Sequence, residues 1–100
     1  MDLGLKDKVV VVTGGSSGIG EETAMEFARE GCQVTIASRS EKKLAEAAGR
    51  FEAEGFQVHT QVVDVSKPED ISALGEKVFQ QFGRIDVWIN NAGGNITKPF

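Results

Sequence analysis

Val9-Val10-Val11-Val12-Thr13-Gly14-Gly15-Ser16-Ser17-Gly18-Ile19-Gly20 decides the fold. Four β-branched residues in a row read as a strand covered on both faces, as in a parallel sheet. Glycines then lead straight into a helix from Ile19 to Glu30, with Ile19, Thr23 and Phe27 on one face. Glu21 and Glu22 stand in its first turn, where negative charge is favoured, and Gly31 supplies the stop. A strand that turns through glycines into a helix start aims backbone N–H groups and the helix dipole at one point, which suits an anion. Gly14, Gly18 and Gly20 remove side chains where a β-carbon would block a ligand or the helix–strand packing, and Ser16 and Ser17 add hydroxyl donors. The turn therefore suits the pyrophosphate of a dinucleotide. Its spacing, G-x-x-x-G-x-G, differs from the G-x-G-x-x-G fingerprint, and no lysine follows the last glycine as a P-loop requires. A tight turn without a ligand is the plain alternative for any glycine cluster, and the place between a first strand and a first helix weighs against it.

Strands and helices alternate along the rest of the chain. Gln33–Ala37 forms a second strand. Ser40 caps a second helix, whose apolar stripe is Leu44, Ala47, Ala48 and Phe51, and Gly55 ends it. Gln57–Val63 is a third strand. Ser66-Lys67-Pro68-Glu69 has the form of a capping box, ahead of Ile71, Leu74, Val78 and Phe82 at helical intervals. Val87-Trp88-Ile89 is the fourth strand. This order implies right-handed crossovers and an α/β class, a Rossmann-type doubly wound parallel sheet in its first βαβαβαβ part. No repeat, low-complexity tract or linker divides residues 1–100, which are expected to form one portion of a dinucleotide-binding domain.

Composition narrows the classes. The 40% hydrophobic and 26% charged content is that of an ordinary soluble globular protein. A net charge of -4 argues against nucleic acid or an anionic membrane surface as main partner. No apolar run approaches the roughly 20 residues of a membrane span, and the first residues are too acidic for a secretory signal. One cysteine, Cys32, excludes an internal disulfide and a multi-cysteine metal site, so no metal is expected. A cytoplasmic protein is the resulting expectation.

Three motifs, each at the carboxyl end of an expected strand, carry a family resemblance. Thr13-Gly14-Gly15-Ser16-Ser17-Gly18-Ile19-Gly20 resembles the T-G-x-x-x-G-I-G signature of the short-chain dehydrogenase/reductase family. Asn90-Asn91-Ala92-Gly93 resembles its N-N-A-G motif, and Asp64-Val65 its adenine-contacting pair. Ligands of open α/β sheets bind at those strand ends. The resemblance implies an alcohol- or carbonyl-directed oxidoreductase, a homo-oligomer, and a cofactor site of Gly14, Ser16, Ser17, Gly18, Ile19, Gly20, Ser38, Arg39, Asp64, Val65, Asn91, Ala92 and Gly93. It implies that Asp64 accepts from the adenine amino group and that Asn91 braces the sheet near the cofactor. A turn cap is the plain role for Asp64, and a good turn sequence is the plain reading of Asn-Asn-Ala-Gly.

The acidic residue that bonds a ribose 2′-hydroxyl is expected about 20 residues into such a unit. That place falls on Ser38, followed by Arg39. Serine removes a carboxylate that would repel a 2′-phosphate, and arginine offers a planar charged donor. NADP(H) is therefore expected over NAD(H). Glu41 is the rival for the ribose, explained equally by its helix start. NADP-selective family members often carry a basic residue at the position of Ser17, so the preference rests on Arg39. Lys42 and Lys43 are read as solvated charges near it, with phosphate contact by one of them as the lesser alternative.

His59, Cys32 and Trp88 have no chemical partners in the sequence and read as structural. Hydride transfer to a carbonyl needs a positioned acid. In the resembled family a tyrosine and a lysine in Y-x-x-x-K fill that role, and this sequence contains no tyrosine. No catalytic residue is assigned, and the residues are expected to be the N-terminal part of a longer oxidoreductase. A non-catalytic dinucleotide-binding module, or a subunit that pairs its open sheet edge with a partner, are the alternatives. A methyltransferase is the weaker rival, since Arg39 and Asn90–Gly93 have no role in it.

Overall fold

The strand of valines is the centre of the molecule. The computed structural model describes residues 6–16 and 18–91. In it β1 (Val9–Thr13) is buried throughout and lies between β2 (Gln33–Ser38) and β4 (Val87–Asn90). β3 (His59–Val62) pairs with β2, giving a four-stranded parallel sheet in the order β3-β2-β1-β4. A strand hydrogen-bonded on both edges and covered on both faces must be apolar on both, which is why the alternation usual in half-exposed strands is missing here.

Helices α1 (Gly18–Arg29) and α2 (Glu41–Ala53) cover one face, where Ala24, Met25, Leu44, Ala47 and Phe51 meet Val10, Val12, Val34 and Ile36. The third helix, α3 (Pro68–Phe82), covers the other through Leu74 and Val78 against Val9, Val11 and Ala37. The sheet is thus wound on both sides, as expected. Gly31 and Gly55 close α1 and α2 in the left-handed conformation, both at φ 85°. After each, the next N–H reaches back to a helical carbonyl, Cys32 to Phe27 at 3.2 Å and Phe56 to Phe51 at 2.9 Å. Ser40 caps α2 by accepting from the Lys43 N–H at 3.2 Å.

Three expectations need correction. The buried side of α1 is Gly20, Ala24, Met25 and Ala28, whereas Ile19 is 62% exposed. The helix lies on the sheet through three small residues and Met25, and Phe27 of the expected face packs partly against the same core. Ser66 does not cap α3: Lys67 holds the cap position without a side-chain bond, and the Ser66 hydroxyl donates to Asp64 instead. Pro68 does take the first helical position. β3 is shorter than Gln57–Val63, although the Val63 N–H still donates to the Ser38 carbonyl at 2.9 Å.

Cys32 is buried in the core, and burial pushes its thiol up from its ordinary value. His59 stands edge-on to Phe82 with ring centres 5.0 Å apart. Trp88 is half-buried against the α3 side. Among the described residues no helix is long and apolar enough to cross a membrane.

Candidate functional site

The carboxyl ends of the strands open into a cleft of about 660 Å³. Gly14, Ser16, Gly18, Ile19, Ser38, Arg39, Asp64, Val65 and Asn91 all line it, so residues far apart in sequence come together. Gly20 lies beneath it. Ser17, Ala92 and Gly93 are outside the described residues.

One side of the cleft is the glycine turn. Gly14 leaves β1 at φ 70°, and its N–H donates to the Ala37 carbonyl at 2.7 Å, so the turn starts locked to β2. Gly18 starts α1 at φ 56°, with open space where a β-carbon would stand. Gly20 serves packing: a β-carbon there would overlap the Gly14 carbonyl and stand 2.5 Å from Asn91 Nδ2. Gly15 matters as well, since a β-carbon on it would meet Ile36 Cγ2 at 2.6 Å. Its need for glycine was hidden because the blocking side chain belongs to the next strand.

Beneath the turn, Thr13 ties β1 to the end of β4. The fully buried Thr13 hydroxyl donates to Asn90 Oδ1 at 3.1 Å and accepts the Asn91 N–H at 3.3 Å. The same N–H reaches the Thr13 carbonyl at 3.1 Å. Trp88 Nε1 donates to Asn90 Oδ1 at 2.9 Å. Asn91 is thereby held against the phosphate-type turn, a brace whose anchor, Thr13, the sequence did not single out.

The other side is charged. Arg39 follows β2, and Lys43, one turn into α2, joins it in lining the cleft. Lys42 and Glu41 do not line it. Among the described residues neither Arg39 nor Lys43 forms a salt bridge. Lys43 was grouped with solvated charges because its direction depends on where α2 starts. Ser38 Oγ accepts the Ser40 N–H at 3.3 Å, which shapes the bend carrying Arg39.

Asp64 caps a turn and faces the cleft at once. Its Oδ1 accepts the Ser66 hydroxyl at 2.6 Å and the Ser66 N–H at 3.0 Å. The Ser66 hydroxyl and N–H, aided by attraction to Arg39 and Lys67, hold the Asp64 carboxyl below its ordinary value. Its own N–H donates to Asp70 Oδ2 at 2.9 Å, anchoring the turn to α3. Among the described residues no group of three or more His, Cys, Asp or Glu gathers that could hold a metal ion.

A parallel sheet wound on both faces, with a glycine turn and a cleft at its carboxyl ends, defines a Rossmann-type α/β protein. The model of the short chain dehydrogenase family matches residues 8–100, and the chain belongs to that family. It is 44% identical over 90 residues to an uncharacterised oxidoreductase of Staphylococcus saprophyticus, covering 89% of this chain and 38% of the relative. L-Sorbose reductase from Gluconobacter frateurii, complexed with NADPH and L-sorbose, superposes with a TM-score of 0.84 at 44% identity. That match covers 93% of this chain and 36% of the reductase. A short chain dehydrogenase/reductase from Burkholderia phymatum in complex with NAD gives a TM-score of 0.78 at 30% identity, over 84% of this chain and 30% of its own. The chain therefore spans little more than a third of such relatives, and its family is one of oxidoreductases.

Proposed function

We propose that the protein is an NADP(H)-dependent oxidoreductase acting on an alcohol or carbonyl, with these residues holding the dinucleotide. The observation that carries the reading is the make-up of the cleft. A glycine turn and helix start form one side, and Arg39 and Lys43 stand on the other where an acidic residue would favour an unphosphorylated ribose. The open space at Gly18 leaves room for a phosphate against the first N–H groups of α1. Arg39 offers a 2′-phosphate a charge-assisted donor, while Asp64 and Val65 border the far end, where the family places adenine. The residues present thus fit a phosphorylated dinucleotide.

When bound, the nicotinamide supplies or takes up the hydride. The residues described here bind and orient, and none is assigned the proton, since these 100 residues contain no tyrosine. NADPH in the sorbose reductase and NAD in the Burkholderia protein place both dinucleotides among the relatives. Arg39 is what favours the first. In the full-length protein, Arg39→Ala is expected to weaken NADPH binding by about 1.5–3 kcal/mol, the range of a hydrogen bond to a charged group, and to leave NADH nearly unchanged. Titration calorimetry with both cofactors tests this, and an equal loss for the two would refute the assignment.

A further inference from the structure

Helix α1 starts between two clefts. Gly18 lines the one described above and also a groove between α1 and α2 that carries Glu21 and Arg50. Arg50 grips Glu21 with two parallel bonds, Nε to Oε2 and Nη2 to Oε1, each 2.7 Å. The Glu21 side chain is only 17% exposed, so water screens it poorly.

Glu21 sits in the first turn of α1, in the same positive potential that would draw a ligand phosphate to Gly18. An uncompensated carboxylate there satisfies that potential itself and repels an incoming anion. Glu22 follows that turn and is exposed. The pairing at Glu21 comes from the last turn of another helix, α2, so it is a tertiary feature.

We infer that Arg50 is a positioning residue for the anionic ligand: by neutralising Glu21 it keeps the start of α1 free to receive phosphate. The inference rests on the dinucleotide reading of the cleft. It concerns the part common to NADH and NADPH, and is separate from the choice that Arg39 makes between them. The second ion-pair cluster of the groove, Arg29 with Glu26 and Glu54, gives an internal control. Arg29 ends α1, roughly 16 Å along the helix from Gly18 at 1.5 Å per residue. That exceeds the screening length of about 8–10 Å at ordinary salt, so Arg29 holds the helices together without acting on the phosphate end.

The test measures NADPH and NADH affinity by titration calorimetry in the full-length wild type and in Arg50→Ala, Glu21→Gln, the double variant and Arg29→Ala. Glu21→Gln and Arg50→Ala break the same ion pair but move the charge in opposite directions. Arg50→Ala is expected to weaken both cofactors by a similar factor, roughly threefold to tenfold for one added charge near a phosphate pair, and less at high salt. Glu21→Gln is expected to match or exceed wild-type affinity, the double variant to recover it, and Arg29→Ala to leave it unchanged. Equal weakening by Glu21→Gln and Arg50→Ala would reduce the pair to a structural clasp and overturn the inference. So would no effect of Arg50→Ala, or an equal effect of Arg29→Ala. A wild type that binds neither cofactor would instead overturn the dinucleotide reading itself.

Discussion

The two ends of the sheet are closed by different means. At the amino ends a charged side chain joins the strands: Asp86 Oδ2 accepts the Val9 N–H at 2.8 Å, and the Asp86 N–H returns to the Val9 carbonyl at 2.8 Å. Arg84 occupies the other oxygen of Asp86 at 2.7 Å. At the carboxyl ends the joins are made by backbone groups and uncharged side chains, from Gly14 to Ala37, Val63 to Ser38, and Thr13 to Asn90 and Asn91. The first end uses its charges internally. The second keeps Arg39 and Lys43 for the cleft. Charged cohesion and the open cleft thus lie at opposite ends of the same strands.

That division can be attacked from either end. Gly20→Ala should have the largest effect, because its β-carbon would overlap the Gly14 carbonyl. A loss of about 1–3 kcal/mol in denaturant unfolding is expected from overpacking, together with weakened cofactor binding. A silent Gly20→Ala would mean that the turn yields, and that the binding end is less rigid than its packing implies. Thr13→Val comes next, since it leaves Asn90 Oδ1 and the Asn91 N–H without the buried hydroxyl. The expected cost is about 1–2 kcal/mol, with a parallel fall in cofactor affinity; unchanged affinity would separate the brace from the site.

The smallest effect lies at the amino end. Arg84, then the Val9 N–H, holds the Asp86 carboxyl below its ordinary value. A carboxyl depressed on folding contributes stability that is fully present above its unfolded pKa and is lost as pH falls through the folded one. Asp86→Asn should therefore lower stability at neutral pH and flatten the acid limb of the unfolding midpoint, from about pH 4 downward. Cofactor affinity at neutral pH should stay near wild type. An acid limb as steep as the wild type's would remove Asp86 from the account.

Much of this architecture was legible because local and global demands agree. Four valines allow little but a buried strand, Gly31 and Gly55 are needed where their helices close, and Ser40 has no rival partner for its cap. Ser66 failed as a cap because α3 starts at Pro68, which puts Lys67 at the cap position and Ser66 one residue too early. The buried face of α1 was read only in part: Phe27 does pack against the core, but Ile19 is exposed and the closest approach is through Gly20, Ala24, Met25 and Ala28. In the site, the motifs marked strand ends correctly. Gly15 and Arg50 were not legible, since their contacts depend on Ile36 and on Glu21 in a different helix, and which of Lys42 and Lys43 faces the cleft depends on where α2 starts.

The central place of β1 also sets a timetable for synthesis. Its first edge is closed by β2 soon after it appears, but Thr13 meets Asn90 only 77 residues later. At translation rates of about 5–20 residues per second, the second edge stays open for roughly 4–15 seconds. During that interval the ribosome displays a valine-rich strand with free N–H and C=O groups, a template for pairing with another nascent chain. The arrangement that makes the finished sheet apolar at its centre thus leaves an apolar edge open until β4 has been made.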